Sequence, residues 1–220
     1  QKKLDIGGLT PIQIDRQIDD KFKEQFSIIQ KPSFAYTYLG FNLKNEKFKD
    51  LRIRQAISLA IDRQELVDIL FFGYGKICNG PFLPDSFAYN EDVKPITQNI
   101  EKAKELLKEA GFDENNPFTF DVVTNTGNDT RINTAQILQY QLEKAGVKMT
   151  IRVMEWQAFL NTVVHPKKFD AVILGWSLGL MPDAYPLWHS SSDKLGGFNL
   201  VSYKNEKVDK LIEDGINTIN

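Results

Sequence analysis

The residues of this chain that could do chemistry are few, and the densest run of them is His189-Ser190-Ser191-Ser192-Asp193. The run holds the residue types of a nucleophile, a base and an orienting acid. Groups this close along a chain seldom converge on one site, however, and no G-x-S-x-G elbow accompanies them, so the run reads as a polar turn. His165 precedes Pro166 at the end of an expected helix, where an imidazole meets the last free carbonyls, and it reads as a cap. These are the only two histidines. With no H-x-x-x-H or C-x-x-C spacing, a zinc site would have to be assembled from scattered residues. Cys78 is the only cysteine, which rules out an internal disulfide and a multi-thiolate site. It lies in a Gly/Pro-rich stretch with no histidine beside it and reads as a small hydrophobe. Neither G-x-x-x-x-G-K-[ST] nor G-x-G-x-x-G occurs, so nucleotide phosphates have no cradle. No catalytic residue, metal or cofactor is expected.

Binding has better candidates. Trp156, after Glu155, and Trp176, after Gly175, each fall at the end of an expected strand. A large ring with a polar tip can line a cleft there and stack on a ligand, or it can simply cover the sheet end. Asn125, Asn128 and Arg131 place donors and acceptors on a strand-to-helix turn, although that turn is equally explained by a need for positive φ at Gly127.

The composition sets the outer limits. The 220 residues, 42% hydrophobic and 25% charged, are ordinary for a globular chain and can bury a core without disulfide or metal. The formal net charge is -2, and lysines such as those from Lys102 to Lys108 alternate with glutamates, as on a solvated helix face. Nucleic acid is therefore not an expected partner. The longest apolar stretch, around Ile69 to Phe72, is far short of the roughly 20 residues that span a bilayer. The chain opens on Gln1 with no initiator Met and no signal peptide, so an upstream segment is expected to precede it.

The elements that must carry these residues follow from period and punctuation. Thr10 and Pro11 start a helix expected over 11–24, and Phe34 to Phe41 reads as a buried strand. Ile53, Ala56, Ile57, Ala60 and Ile61 recur at helical spacing after Asp50, a good N-cap. Asp62 with Glu65 opens a second helix, ended by Gly73. From Gly73 to Pro95 the chain is a long ordered loop. A helix through Ala103, Leu106, Leu107 and Ala110 closes at Gly111, a strand follows over Phe118 to Val122, and a polar turn from Thr124 to Asp129 leads to a helix over about 130–145. Val147, Met149, Ile151 and Val153 alternate along the next strand. A helix from Trp156 to Val164 and a central strand from Phe169 to Leu174 complete the series. Strand, helix, strand, helix, strand predicts parallel strands joined by right-handed crossovers, an α/β fold. Ligands in such sheets sit outside the carboxyl ends of the strands, which singles out the turns Asn125 to Asp129 and Trp176 to Asp183. The likeness of "LLKEAGF" to "QLEKAGV" is explained by shared helix C-capping rather than duplication.

The stretch "FAYTYLGFNLKNEKFKDLRIRQAISLAIDRQELVDILFFGYGK" resembles family 5 extracellular solute-binding proteins at Tyr38 to Asn42, Phe48 to Ala56 and Ala60 to Arg63. The likeness continues through "NIEKAKELLKEAGF", "TNTGNDTR", "VMEWQAF", "FDAVILGWSLGLMPDAYPLWHS" and "GFNLVSYKNEKVDKLIE", nearly the whole chain. The resemblance implies one lobe of a two-lobed protein that closes on its ligand by hinge motion and delivers it to the membrane permease of an ABC importer. Residues 1–220 would be the C-terminal ligand-binding lobe alone, with 1–33 as a lead-in from the missing lobe. The implied fold is a periplasmic-binding-protein-like type II lobe, a mixed, mainly parallel sheet flanked by helices. Half a cleft should bind weakly.

By the same resemblance, Trp176, Trp156, Asn125, Asp183 and Asn199 are the expected ligand-facing residues. Two departures bear on the ligand. Many peptide-binding members place an aspartate three residues after the second tryptophan to pair with the peptide's amine, and some an arginine three residues before it; here the positions hold Gly179 and Ile173. Asp183 could substitute for the first, or could cap the helix it precedes. An oligopeptide is the first expectation and an oligosaccharide the alternative, since two tryptophans with asparagines also suit sugars. A hydrolase on an α/β scaffold and a protein-interaction module are the readings from other classes. The full protein is expected to be periplasmic or extracellular, with a lipid tether to the membrane as one arrangement.

Overall fold

The computed structural model of the chain describes residues 6–31, 33–179 and 183–218. Short-range hydrogen bonds set most helix boundaries. Thr10 and Gln13 form a full capping box at the start of α1 (Pro11–Arg16). The single helix expected over 11–24 is interrupted: the Asp19 carboxylate accepts from the Phe22 N–H at 2.8 Å and starts α2 (Asp20–Gln25) afresh. Aspartate competes with the helical backbone in this way, which is why it favours caps over helix interiors.

The first strand, β1 (Ala35–Phe41), leads through a short turn into α3 (Leu51–Ala60) and α4 (Arg63–Phe71). Asp50 and Asp62 cap them as the sequence predicts. The reciprocal half of the expected box at Asp62 is supplied from elsewhere: fully buried Gln141 accepts from the Asp62 N–H at 3.0 Å and donates to the Glu65 carboxylate at 2.5 Å. No helix or strand occurs among residues 73–95, in keeping with the expected loop. Then follow α5 (Ile100–Glu109), β2 (Phe118–Asn125), α6 (Asp129–Lys144), β3 (Val147–Met154), α7 (Trp156–Phe159) continued by a π-helical turn (Leu160–Val164), and β4 (Ala171–Ser177). A short α8 (Tyr185–Trp188) and α9 (Glu206–Asn217) complete the order. Helix α9 is not among the expected elements, although Asn205 followed by Val208, Leu211 and Ile212 carries its cap and its period.

The sheet order is β1-β4-β2-β3. β2 runs parallel to β3 and to β4, the expected crossovers, while β1 pairs antiparallel with β4 from Ala35↔Ser177 to Phe41↔Ala171. The sheet is therefore mixed and mainly parallel. Its faces pack separately: Ile53, Ile57, Leu107, Leu138 and Leu142 from α3, α5 and α6 cover Phe118, Phe120, Ala171 and Ile173. Phe159, Val163, Val164 and Leu200 cover the opposite face at Val123, Val172 and Leu174. Full burial of each large side chain stabilises by about 1.5–3 kcal/mol, so these two layers hold the strands that carry the site.

Where β4 begins, the chain is fastened by an ion cluster. The buried Asp193 carboxylate meets the ammonium groups of Lys44, Lys167 and Lys204, and Lys167 also donates to the Asn199 carbonyl at 2.7 Å. Burial raises the Asp193 pKa, but hydrogen bonds from Lys167, Ser202 and Lys44 outweigh it and hold the carboxyl well below the usual range.

Candidate functional site

The carboxyl ends of β2, β3 and β4 and the amino end of β1 share one end of the sheet. β1, the carboxyl end of β4 and the first turns of α6 line a concavity of about 2920 Å³, and Trp176 and Asp183 are the expected site residues in that lining, whereas Asn125, Trp156 and Asn199 lie outside it. Trp176 is the penultimate residue of β4, because the strand runs three residues beyond the expected Leu174. Antiparallel pairing sets Tyr36 opposite Trp176 and Tyr38 opposite Leu174. The Tyr38 and Trp176 rings consequently stack, with centroids 6.4 Å apart and planes 10° from parallel, and Phe198 meets Trp176 edge-on at 5.8 Å. Burial chiefly raises the Tyr38 hydroxyl pKa, assisted by Tyr36 and opposed by Arg131. Tyr36 is pushed up to about 12, first by burial and then by the Cys78 thiol. Both phenols are neutral donors at physiological pH.

Arg131 comes from the first turn of α6, where Asn128 caps its N–H at 3.0 Å. Its Nη1 donates at 2.8 Å to Asn125 Oδ1, and its guanidinium carbon lies 5.8 Å from the Trp156 ring centre. Asn125 is the last residue of β2 rather than part of the turn, and it is nearly fully buried. Its Nδ2 donates to the Thr126 carbonyl at 2.7 Å, which assigns Oδ1 to the arginine. Asn125 therefore aims Arg131. Gly175 leaves the room this needs: a Cβ there would stand 2.8 Å from the Tyr36 carbonyl oxygen and 3.4 Å from Arg131 Nη2. Half-burial lowers the Arg131 pKa by desolvation.

The other expected site residues are placed differently. Trp156, 38% exposed, begins α7 and packs on Phe159 and Arg131. Asp183 lines the concavity, but its Oδ1 accepts from the Tyr185 N–H at 2.9 Å, the capping alternative. Asn199 is 0% exposed: Nδ2 donates to the His189 and Tyr203 carbonyls and Oδ1 accepts from the Tyr203 N–H. These bonds turn it into the scaffold beneath Phe198. Ile173 is fully buried in the helix-covered core, so a charge at that position would be costly to bury, and Gly179 is exposed. His189 lies between Ser191, whose Oγ is 2.8 Å from Nδ1, and Glu213, 3.2 Å from Nε2, which ties the turn to α9. Among the described residues no group of three or more His, Cys, Asp and Glu side chains could hold a metal, and no helix is long and apolar enough to cross a membrane. Tyr38, Tyr36 and Phe198 are not among the residues the sequence singles out as ligand-facing. Only the alternation of Tyr36 and Tyr38 along β1 hinted that they share a face.

A mixed sheet that gathers an aromatic pair and an aimed guanidinium beside the carboxyl end of its β4 strand has the arrangement of an α/β fold in which a solute can be held outside the sheet. The chain belongs to the bacterial extracellular solute-binding proteins of family 5, whose middle-region description matches residues 1–198. It is 38% identical over 212 residues to the oligopeptide-binding protein AppA of Bacillus subtilis, covering 89% of this chain and 39% of that protein. The structure of B. subtilis AppA in complex with a nonapeptide matches with a TM-score of 0.80 at 37% identity, over 86% of this chain and 40% of that one. NikZ of Campylobacter jejuni in complex with Ni(L-His) matches with a TM-score of 0.81 at 30% identity, over 91% and 42%. The chain thus spans about two fifths of the length of these relatives.

Proposed function

We propose that this chain is the ligand-capturing lobe of an extracellular solute-binding protein that serves an ABC importer, and that its ligand is an oligopeptide. In this reading residues 1–220 form one lobe, 1–33 lead into it from a second lobe, and the ligand is enclosed between the two before delivery to a membrane permease. It binds without turnover. The observation that carries the reading is the Tyr38–Trp176 stack beside Arg131 at the open strand ends. Flat aromatic faces take up peptide side chains and amide planes without fixing their identity, while a guanidinium and two neutral phenols supply polar anchors. The nonapeptide complex of AppA, a relative at 37% identity, supports a peptide over an oligosaccharide.

Of the expected ligand-facing residues, Trp176 makes direct contact in this proposal, Trp156 and Asn125 act through Arg131, which they contact, and Asp183 and Asn199 hold the surrounding scaffold. The test is a titration of the full-length protein with a peptide pool and, separately, an oligosaccharide pool, followed by tryptophan fluorescence. A saturable change with peptides that Trp176→Ala abolishes supports the proposal; a response to sugars alone overturns it.

A further inference from the structure

The charge that lines the concavity is lopsided. Its described lining contains the cations Lys23, Lys31, Arg54, Arg63, Lys76 and Arg131 against the carboxylates Asp15 and Asp183. Two of the cations are answered locally, Lys76 by Asp85 at 2.6 Å and Lys23 by Asp20 at 3.5 Å. The arginines behave otherwise. Arg54 donates to the carbonyls of Phe48 and Lys49 and shares the field of Asp50, whereas Arg63 donates to the carbonyls of Ser58 and Ile96 and to the Ser58 hydroxyl, partners that fix position and leave its charge uncompensated. Arg131 has a neutral amide and an aromatic face as its neighbours. The two carboxylates do not redress the balance, because Asp15 lies 3.9 Å from Arg16 and Asp183 is engaged by the Tyr185 N–H.

A half-buried guanidinium has five N–H donors, and the described contacts of Arg131 occupy one of them. Its remaining donors form a fork suited to a carboxylate, and partial exclusion of water strengthens such a pair relative to one in bulk solvent. We infer that the concavity selects peptides whose side chains carry carboxylates, with Arg131 as the specificity-determining residue. This rests on the peptide reading above and adds the class of peptide. Uncompensated positive charge in a cleft also raises the local concentration of anionic ligands, so the preference weakens as salt is added.

The experiment uses the full-length protein and nonapeptides of one length with identical free termini: one neutral, one with two glutamates, one with two lysines, and the glutamate peptide again as its C-terminal amide. Tryptophan fluorescence should give a dissociation constant about tenfold lower for the glutamate peptide than for the neutral one at low salt, with the lysine peptide weakest. The preference should survive amidation and shrink at high salt. Arg131→Gln should bring the glutamate-to-neutral ratio close to one, and Arg131→Lys should keep part of it. Equal affinity for the neutral and glutamate peptides overturns the inference while leaving the peptide reading intact. Loss of the preference on amidation also overturns it, by showing that the terminal carboxylate was the handle. Silence with every peptide overturns both. The comparison of peptides on the unmodified protein decides the matter even if the Arg131 variants do not fold.

Discussion

The guanidinium carbon of Arg131 stands 5.8 Å from the centre of the Trp156 ring. The cation and the ring come from different crossovers, α6 after β2 and α7 after β3, and meet because those strands are parallel neighbours in register from Phe118↔Val147 to Asn125↔Met154. Asn125 completes the arrangement by accepting from Nη1 at 2.8 Å.

Replacing Asn125 by aspartate puts a carboxylate where the amide oxygen now accepts, so the substituted side chain and Arg131 become an internal ion pair. The shape and the bond to Arg131 are retained but the donor to the Thr126 carbonyl is lost, so the fold should persist with a stability loss of about 1–2 kcal/mol. Affinity for a peptide with acidic side chains should fall about tenfold, with a smaller loss for a neutral peptide, since the site cation is already neutralised. Parallel fluorescence titrations of the two peptides check this. Asn125→Ala should weaken both peptides together by removing the acceptor that orients the guanidinium.

Trp176→Ala removes the ring that stacks on Tyr38 and meets Phe198 edge-on. Aromatic pairs contribute about 0.5–1.5 kcal/mol beyond their buried area, and Trp176 is only half-buried, so the stability loss should be about 1–2 kcal/mol by urea denaturation. Ligand affinity should fall by about tenfold or more, a larger effect than the stability change predicts for a merely structural ring. A ring that only covers the sheet end would leave affinity unaltered.

Asp193 holds Lys167 and Lys44 and lies 3.4 Å from Lys204. Asp193→Asn leaves the largely buried Lys167 ammonium without its carboxylate, and should destabilise the protein by about 3 kcal/mol at pH 7. The pH dependence has a definite sign. The folded carboxyl titrates below its unfolded value of about 3.9, so its contribution is fully present above that value and is lost as pH falls through the folded one. Wild-type stability should therefore decline below about pH 4 more steeply than that of the variant, in denaturation curves recorded between about pH 2 and 7.

Asn199→Ala separates scaffold from site. The side chain makes three hydrogen bonds to the backbone of His189 and Tyr203. Its loss leaves buried backbone groups unsatisfied, and the expected cost is about 2–3 kcal/mol. Affinity measured well below the unfolding transition should be unchanged, and a specific loss of binding would return Asn199 to the ligand-facing set.

Much of the architecture is legible residue by residue because it is decided within a few residues. Thr10, Asp50 and Asp62 cap their helices through bonds that span two or three positions, and the alternation of Val147 and Met149 declares a buried strand face. The run from Phe118 to Leu174 announces parallel crossovers for the same reason. Where the structure departs from expectation, a competing local bond or a distant partner decided the outcome. Asp19 divides the first helix, and pairing with β1 carries β4 on to Ser177.

The site lies on the other side of that division. The sequence by itself determined the fold class, the two tryptophans at strand ends and the likeness to family 5, all of which rest on local period or on motifs. Only the tertiary structure decided that Tyr38 stacks on Trp176, that Asn125 accepts from Arg131, and that Asn199 is buried and bonded to the Tyr203 backbone. The physical reason is register: β1 and β4 are separated by more than a hundred residues, and which side chains they bring together depends on long-range pairing that no local pattern encodes.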